Sequence, residues 1–161
     1  MGLEHFNSLD GEEAEAQLYS CFAHREWAAR VAGGRPYQHR SDLLASAESA
    51  WSKLGRADWL EAFSAHPRIG ERGGHAPATS EREQSKVMAA SHETLMAIAE
   101  ENRRYEDRFG HVFLIAASGR SAEEILQSLR QRMANDPEKE LSVAAAEQRK
   151  ITQLRLERFL G

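Results

Sequence analysis

A chain of 161 residues has the size of one domain, long enough to bury a core and too short to call for a second. With 41% hydrophobic and 29% charged residues it has the composition of a globular protein and not of a disordered one. Lys and Arg number 21 against 25 Asp and Glu, and the net charge of -4 argues against an extended nucleic-acid footprint, which leaves a small molecule or a protein as the partner.

No apolar run nears the ~18 residues that cross a bilayer, and the N-terminus lacks a basic stretch followed by an apolar core. Neither a membrane span nor a signal peptide is expected, and the chain reads as cytoplasmic. The single cysteine, Cys21, lies in an apolar helical stretch with Leu18 and Phe22. It excludes an internal disulfide and a thiolate zinc cluster, and reads as a buried small apolar residue.

Residues 8–32 read as one or two helices, with Asp10, Glu12 and Glu13 at the positive end and Leu18, Phe22 and Trp27 following. Gly33-Gly34-Arg35-Pro36 breaks that pattern. Ser41-Asp42 offers a helix start, and Leu43, Leu44, Ala47, Ala50, Trp51 and Leu54 keep helical spacing until Gly55. Asp58 opens a short helix through Trp59, Leu60 and Phe63. Pro67 disfavours helical backbone at His66, so His66 is expected at a helix end with its ring directed into whatever cleft the loop borders. The segment from Arg68 to Thr79, with three glycines, one proline and no large apolar residue after Ile69, is expected to be a loop.

From Ser80 one long helix is expected, because Gln84, Met88, Ser91, Leu95, Ile98, Asn102, Tyr105 and Phe109 form a single stripe at ~3.6 residues per turn. Gln84 and Asn102 lie on that stripe, and an unsatisfied buried amide costs on the order of 1 to 3 kcal/mol, so each needs a partner. For Gln84, at the loop end, a ligand is one available partner. After Gly110, the run Val112-Phe113-Leu114-Ile115-Ala116-Ala117 fits a short strand or a buried helical turn by periodicity, and its helical surroundings favour an irregular or helical segment. Ser121-Ala122-Glu123-Glu124 is a capping-box pattern that opens a helix through Ile125, Leu126, Leu129 and Met133. Asn135-Asp136-Pro137 closes it and starts the last helix, in which Leu141, Ala144, Gln148, Ile151, Arg155 and Phe159 share a face. An inward Arg155 must be paired.

Among the chain's seven histidines, His66 stands out by its place before a proline at a loop mouth. An imidazole titrates near ~6.5 when unperturbed, so it can give or take a proton around neutral pH. Ser80 and Glu83 have two readings. As a capping box, Ser80 is the N-cap and Glu83 turns back to its amide; as part of a site, the carboxylate faces His66 or a ligand. Arg155 reads either as a structural ion pair or as a ligand contact. A metal site from His66, Glu83 and His92 matches no compact ligand spacing, and Ser80 lies on no GxSxG elbow. No metal is expected.

Four ordered motifs carry a resemblance. They are His66-Pro67-Arg68-Ile69-Gly70; Ser80-Glu81-Arg82-Glu83-Gln84; Asn102, Tyr105, Phe109-Gly110 and Phe113-Leu114-Ile115-Ala116; and Glu147, Lys150-Ile151 and Leu154-Arg155-Leu156. Together with Cys21, Trp27 and Arg35-Pro36-Tyr37 they resemble the 2-oxo-4-hydroxy-4-carboxy-5-ureidoimidazoline (OHCU) decarboxylase family over nearly the whole chain. The resemblance implies an all-α fold, a single-domain bundle of roughly seven to eight helices over residues 1–161, and a cytoplasmic homodimer. It implies decarboxylation of a small ureido-imidazoline substrate to (S)-allantoin after urate oxidation, with neither nucleic acid nor membrane as partner. His66 would be the catalytic proton-transfer residue and Glu83 its assistant. Pro67, Ser80, Gln84, Phe113, Leu114, Ile115, Ala116, Ala117 and Arg155 would bind substrate. Arg68 departs from the family's usual Asp at that position. No cofactor is expected, because a ring imine beside the leaving carboxylate can take up the electron pair. Two other readings stay open: a different lyase or hydrolase on the same frame, and a helical interaction module in which these motifs are only loop and cap.

Overall fold

The computed structural model describes residues 1–71 and 73–161, and among these the regular structure is helical. The helices are α1 Leu3–Ser8, α2 Gly11–Cys21, α3 Arg25–Gly33, α4 Arg40–Trp51, α5 Arg56–Phe63, α6 Pro77–Glu83, α7 Ser85–Met88, α8 His92–Phe109, α9 Ala122–Arg132 and α10 Pro137–Leu160. The all-α expectation holds. The described helices outnumber the expected seven to eight, because a short α1 precedes the first stretch read from the sequence and because one long helix proves to be three.

The chain forms two compact units, Met1–Ala62 with Ile151–Gly161, and Phe63–Lys150. In the first, Phe22 packs edge-on against Trp27 and Trp51, at 5.2 and 5.0 Å between ring centres, and Phe6 meets Phe159 at 5.3 Å. The indole of Trp27 donates to the carbonyl of Ala47 at 3.0 Å, so its polar edge is satisfied where the ring is buried. Asp10 caps α2 through the amide of Glu13 at 2.8 Å. The start of α4 lies at His39, whose amide donates to Asp42 at 3.2 Å, so Asp42 sits in the first turn and Ser41 is not the cap. Asp58 likewise reaches back to the amide of Gly55 at 3.0 Å, and α5 begins two residues before the aspartate. Cys21 is buried, with its thiol 3.7 Å from the carbonyl of Gln17.

In the second unit, Val87, Ile98, Tyr105, Phe113, Ile125 and Leu129 form the apolar core. The helix expected from Ser80 to Phe109 is broken twice. Gln84 leaves helical geometry at φ -95° and ψ 13°, and Ser91 is extended, its hydroxyl accepting from the amide of Thr94 at 3.2 Å to start α8 afresh. Side-chain periodicity does not register a cap that a serine makes inside the stripe. Of the expected stripe, Gln84, Ile98, Asn102 and Tyr105 are buried, Met88, Leu95 and Phe109 half-buried, and Ser91 exposed. Gly110, at φ 79°, closes α8 in the left-handed conformation that glycine adopts without penalty. Ser121 and Glu124 make the expected capping box of α9. The run from 112 to 117 is irregular, as favoured.

Beneath that run lies a buried polar network. Glu140, fully buried, accepts three bonds from Arg132, at 3.2 and 2.9 Å from Nε to its two oxygens and 2.7 Å from Nη2, and one from the Tyr105 hydroxyl at 2.5 Å. Burial, then the hydrogen bond to Glu140, pushes the Tyr105 hydroxyl far above the usual phenol range, so it stays a donor. Asn135 adds a fifth bond at 3.1 Å. A buried charge set of this kind is tolerable only when every member is satisfied.

Candidate active site

All the candidate residues except Arg155 belong to the second unit. Among the described residues, the loop that carries His66 is fastened at several points. The amide of His66 donates to Phe63 at 3.1 Å, closing a turn after α5. Its imidazole Nε2 lies 2.7 Å from Oε1 of Gln148 on α10. Arg68 pairs with Glu106 at 2.7 Å, and the bond to that carboxylate holds the guanidinium more firmly protonated than usual. The carbonyl of Ile69 accepts from Asn102 at 3.1 Å, and the amide of Gly70 donates to Gln84 at 2.7 Å. Gln84 thus finds its acceptor's partner in the loop backbone. His75, edge-on to His66 at 5.2 Å, returns to the carbonyl of Ala65 through its amide at 3.0 Å.

The run at 113–117 is held just as closely, and by side chains. The carbonyl of Leu114 accepts from Arg132 at 2.7 Å, that of Ala116 from Arg120 at 3.0 Å, and the amide of Ala116 donates to Glu147 at 3.3 Å. These bonds answer the main-chain groups that a strand or helix would have paired. Glu147 and Gln148 are neighbours on α10, so consecutive residues anchor the run and the His66 ring. Neither was assigned a role from the sequence, although Gln148 carried the same signal as Gln84 and Asn102: an amide on an otherwise apolar face.

The expected loop up to Thr79 ends at Ala76, because Pro77 takes the first position of α6. Ser80 is therefore inside the helix, its amide donating to Ala76 at 2.9 Å, and it is not an N-cap. The capping-box reading of Ser80 and Glu83 fails on that geometry. Ser80 is buried and Glu83 half-buried at the last residue of α6. Arg155 lies in the first unit, 4% exposed, with Nη1 donating to the carbonyl of Ser20 at 3.3 Å.

Among the described residues, the histidine and acids near enough to share an ion are His24, Asp58 and Glu61, not His66, Glu83 and His92. The His24 ring is already committed. Its Nδ1 accepts from the amide of Trp27 at 3.2 Å, which puts the proton on Nε2, where it is donated to Asp58 at 2.8 Å. An ion on Nε2 would require an imidazolate, so the group is a structural tie. The Gly55 amide and then His24 hold the Asp58 carboxyl below the usual carboxylate range.

The model of one protein family, OHCU decarboxylase, matches residues 7–157. Uric acid degradation bifunctional protein TTL of Arabidopsis thaliana is 35% identical over 93% of this chain, and the chain spans 48%, about half, of that protein's length. The 2-oxo-4-hydroxy-4-carboxy-5-ureidoimidazoline decarboxylase of Amia calva is 34% identical over 81% of this chain and 77% of its own. A crystal structure of OHCU decarboxylase in the presence of (S)-allantoin superposes with a TM-score of 0.78 at 34% identity, covering 90% of this chain and 97% of the other.

Proposed function

The chain belongs to the OHCU decarboxylase family, and we propose that it converts 2-oxo-4-hydroxy-4-carboxy-5-ureidoimidazoline to (S)-allantoin and carbon dioxide in urate degradation. The observation that carries this reading is the match of the family over residues 7–157, joined to a fold shared with a decarboxylase crystallised in the presence of that product. The anchoring of the His66 ring and the 113–117 run on neighbouring residues of α10 supports a site built around them.

In this substrate the carbon that bears the carboxylate also bears a hydroxyl and neighbours a ring imine. Loss of carbon dioxide breaks the bond to the carboxylate, and its electron pair forms a carbon–carbon double bond while the imine pair moves onto nitrogen, which is protonated. The resulting enol loses its hydroxyl proton and gains one on the neighbouring carbon. The substrate is its own electron sink, so the protein's tasks are orientation, proton transfer and choice of face.

His66 takes the hydroxyl proton, with Glu83 assisting it. Gln84 and Ser80 orient the substrate from α6 and its end, and Pro67 with the run from Phe113 to Ala117 lines the pocket. Arg155 binds the substrate through its guanidinium, an assignment that rests on the family pattern. The protein works as a homodimer in the cytoplasm; among the described residues no helix is long and apolar enough to cross a membrane.

General acid–base assistance is worth roughly 10²- to 10⁴-fold in rate. His66→Ala should lower turnover by that much while the helical circular-dichroism spectrum stays that of the wild type. A loss smaller than about tenfold would remove His66 from the proton-transfer role.

A further inference from the structure

We infer that Gln148 is a positioning residue that fixes the tautomer of His66, so that proton exchange with substrate takes place at Nδ1. The inference rests on the proposed role of His66 in proton transfer. Gln148 is fully buried, in the middle of α10, and presents its amide oxygen to Nε2 of His66 at 2.7 Å. A carbonyl oxygen only accepts, so Nε2 must carry a hydrogen in the neutral ring as well as in the cation. The lone pair of the neutral ring is then on Nδ1, and that atom is the base.

The choice of an amide and not a carboxylate has a consequence of its own. A carboxylate in this position would stabilise the imidazolium and hold its proton. An uncharged acceptor fixes the ring's orientation without adding a charge that would hold the proton on it, which suits a group that must both take and return a proton. His75 stands edge-on to the His66 ring at 5.2 Å. Glu147, next to Gln148, is engaged by the amide of Ala116 at 3.3 Å and by Lys150 at 2.8 Å.

The test reads the ring directly and does not depend on which substrate is turned over. In the full-length protein labelled with ¹⁵N-histidine, long-range ¹H–¹⁵N correlation spectra above the titration of His66 should show a protonated Nε2 and an unprotonated Nδ1. A predominant Nδ1–H form in the wild type overturns the inference, and this measurement stands even where a variant fails to fold. Gln148→Leu should turn the single tautomer into a mixture and lower kcat by about tenfold or more with little change in KM, and an unchanged tautomer in that variant also overturns it. Gln148→Glu should restore the Nε2–H form and move the acidic limb of the pH–rate profile to higher pH, because the new carboxylate favours the imidazolium. A Glu variant whose limb stays in place contradicts the assignment. Should the protein lack decarboxylase activity altogether, the proposed function fails while the tautomer measurement still decides the role of Gln148.

Discussion

At position 74 the chain passes so close to the His66 loop that a side chain would collide with it. A Cβ there would stand 2.6 Å from Cδ of Pro67 and 2.8 Å from the carbonyl oxygen of Ala65, and the backbone is left-handed at φ +79°. Both neighbours are rigid, one a proline ring and the other main chain, so Gly74→Ala must push the His66-Pro67 stretch from its bonds to Phe63 and Gln148. Turnover is expected to fall by about tenfold or more, since a displacement of ~1 Å in a catalytic group is costly. Gly119→Ala is the control: φ is +77° but nothing lies within 4 Å of the added atom, so it meets only the backbone penalty of roughly 1 to 2 kcal/mol and should leave turnover near normal. Equal losses in both variants would mean that contact with Pro67 is not what matters. The sequence showed a flexible, glycine-rich segment here but not which glycine touches the proline, because that contact depends on how the loop returns past His66. Polar residues on apolar faces were more legible. Gln84 and Asn102 were marked as amides needing partners, and each holds a backbone group of the His66 loop. Glu83 was the poorest guide, since the Ser-x-x-Glu pattern that caps α9 at Ser121 falls inside α6 at Ser80, where Pro77 has already started the helix.

The irregular run between α8 and α9 shows why an element without repeating structure can still be well determined. Its carbonyl at Leu114 and its amide at Ala116 are held by Arg132 and Glu147, which come from α9 and α10. Periodicity carries no trace of such partners, whereas the ends of α8 and α9, set by Gly110 and Ser121, were readable because their signals are local. Arg132 has two tasks, bonding Leu114 and neutralising the fully buried Glu140 at 2.7 Å. Arg132→Met would leave that carboxylate without its counter-charge, and breaking a buried pair from one side costs about 3 to 5 kcal/mol. The urea midpoint should fall accordingly, and Arg132→Met combined with Glu140→Leu should recover much of the loss. A single variant within about 1 kcal/mol of the wild type would mean that the pair is not a support of this element.

At the scale of the molecule, each compact unit has its own core, one gathered around Trp27 and the other around Tyr105. The residues tied to the His66 loop and to the 113–117 run belong to the second unit, and Arg155 to the first. The all-α class was legible because amphipathic spacing recurs along the chain, and the family because four motifs occur in order; both depend on long stretches that tolerate local error. The proposed activity yields one enantiomer of allantoin, and circular dichroism of the product formed when the protein is added to freshly generated OHCU decides it. The prediction is rapid appearance of the (S)-allantoin signal, against slow racemic decay without protein and strongly reduced acceleration with His66→Ala. A racemic product, or a rate unchanged by the protein, would contradict it.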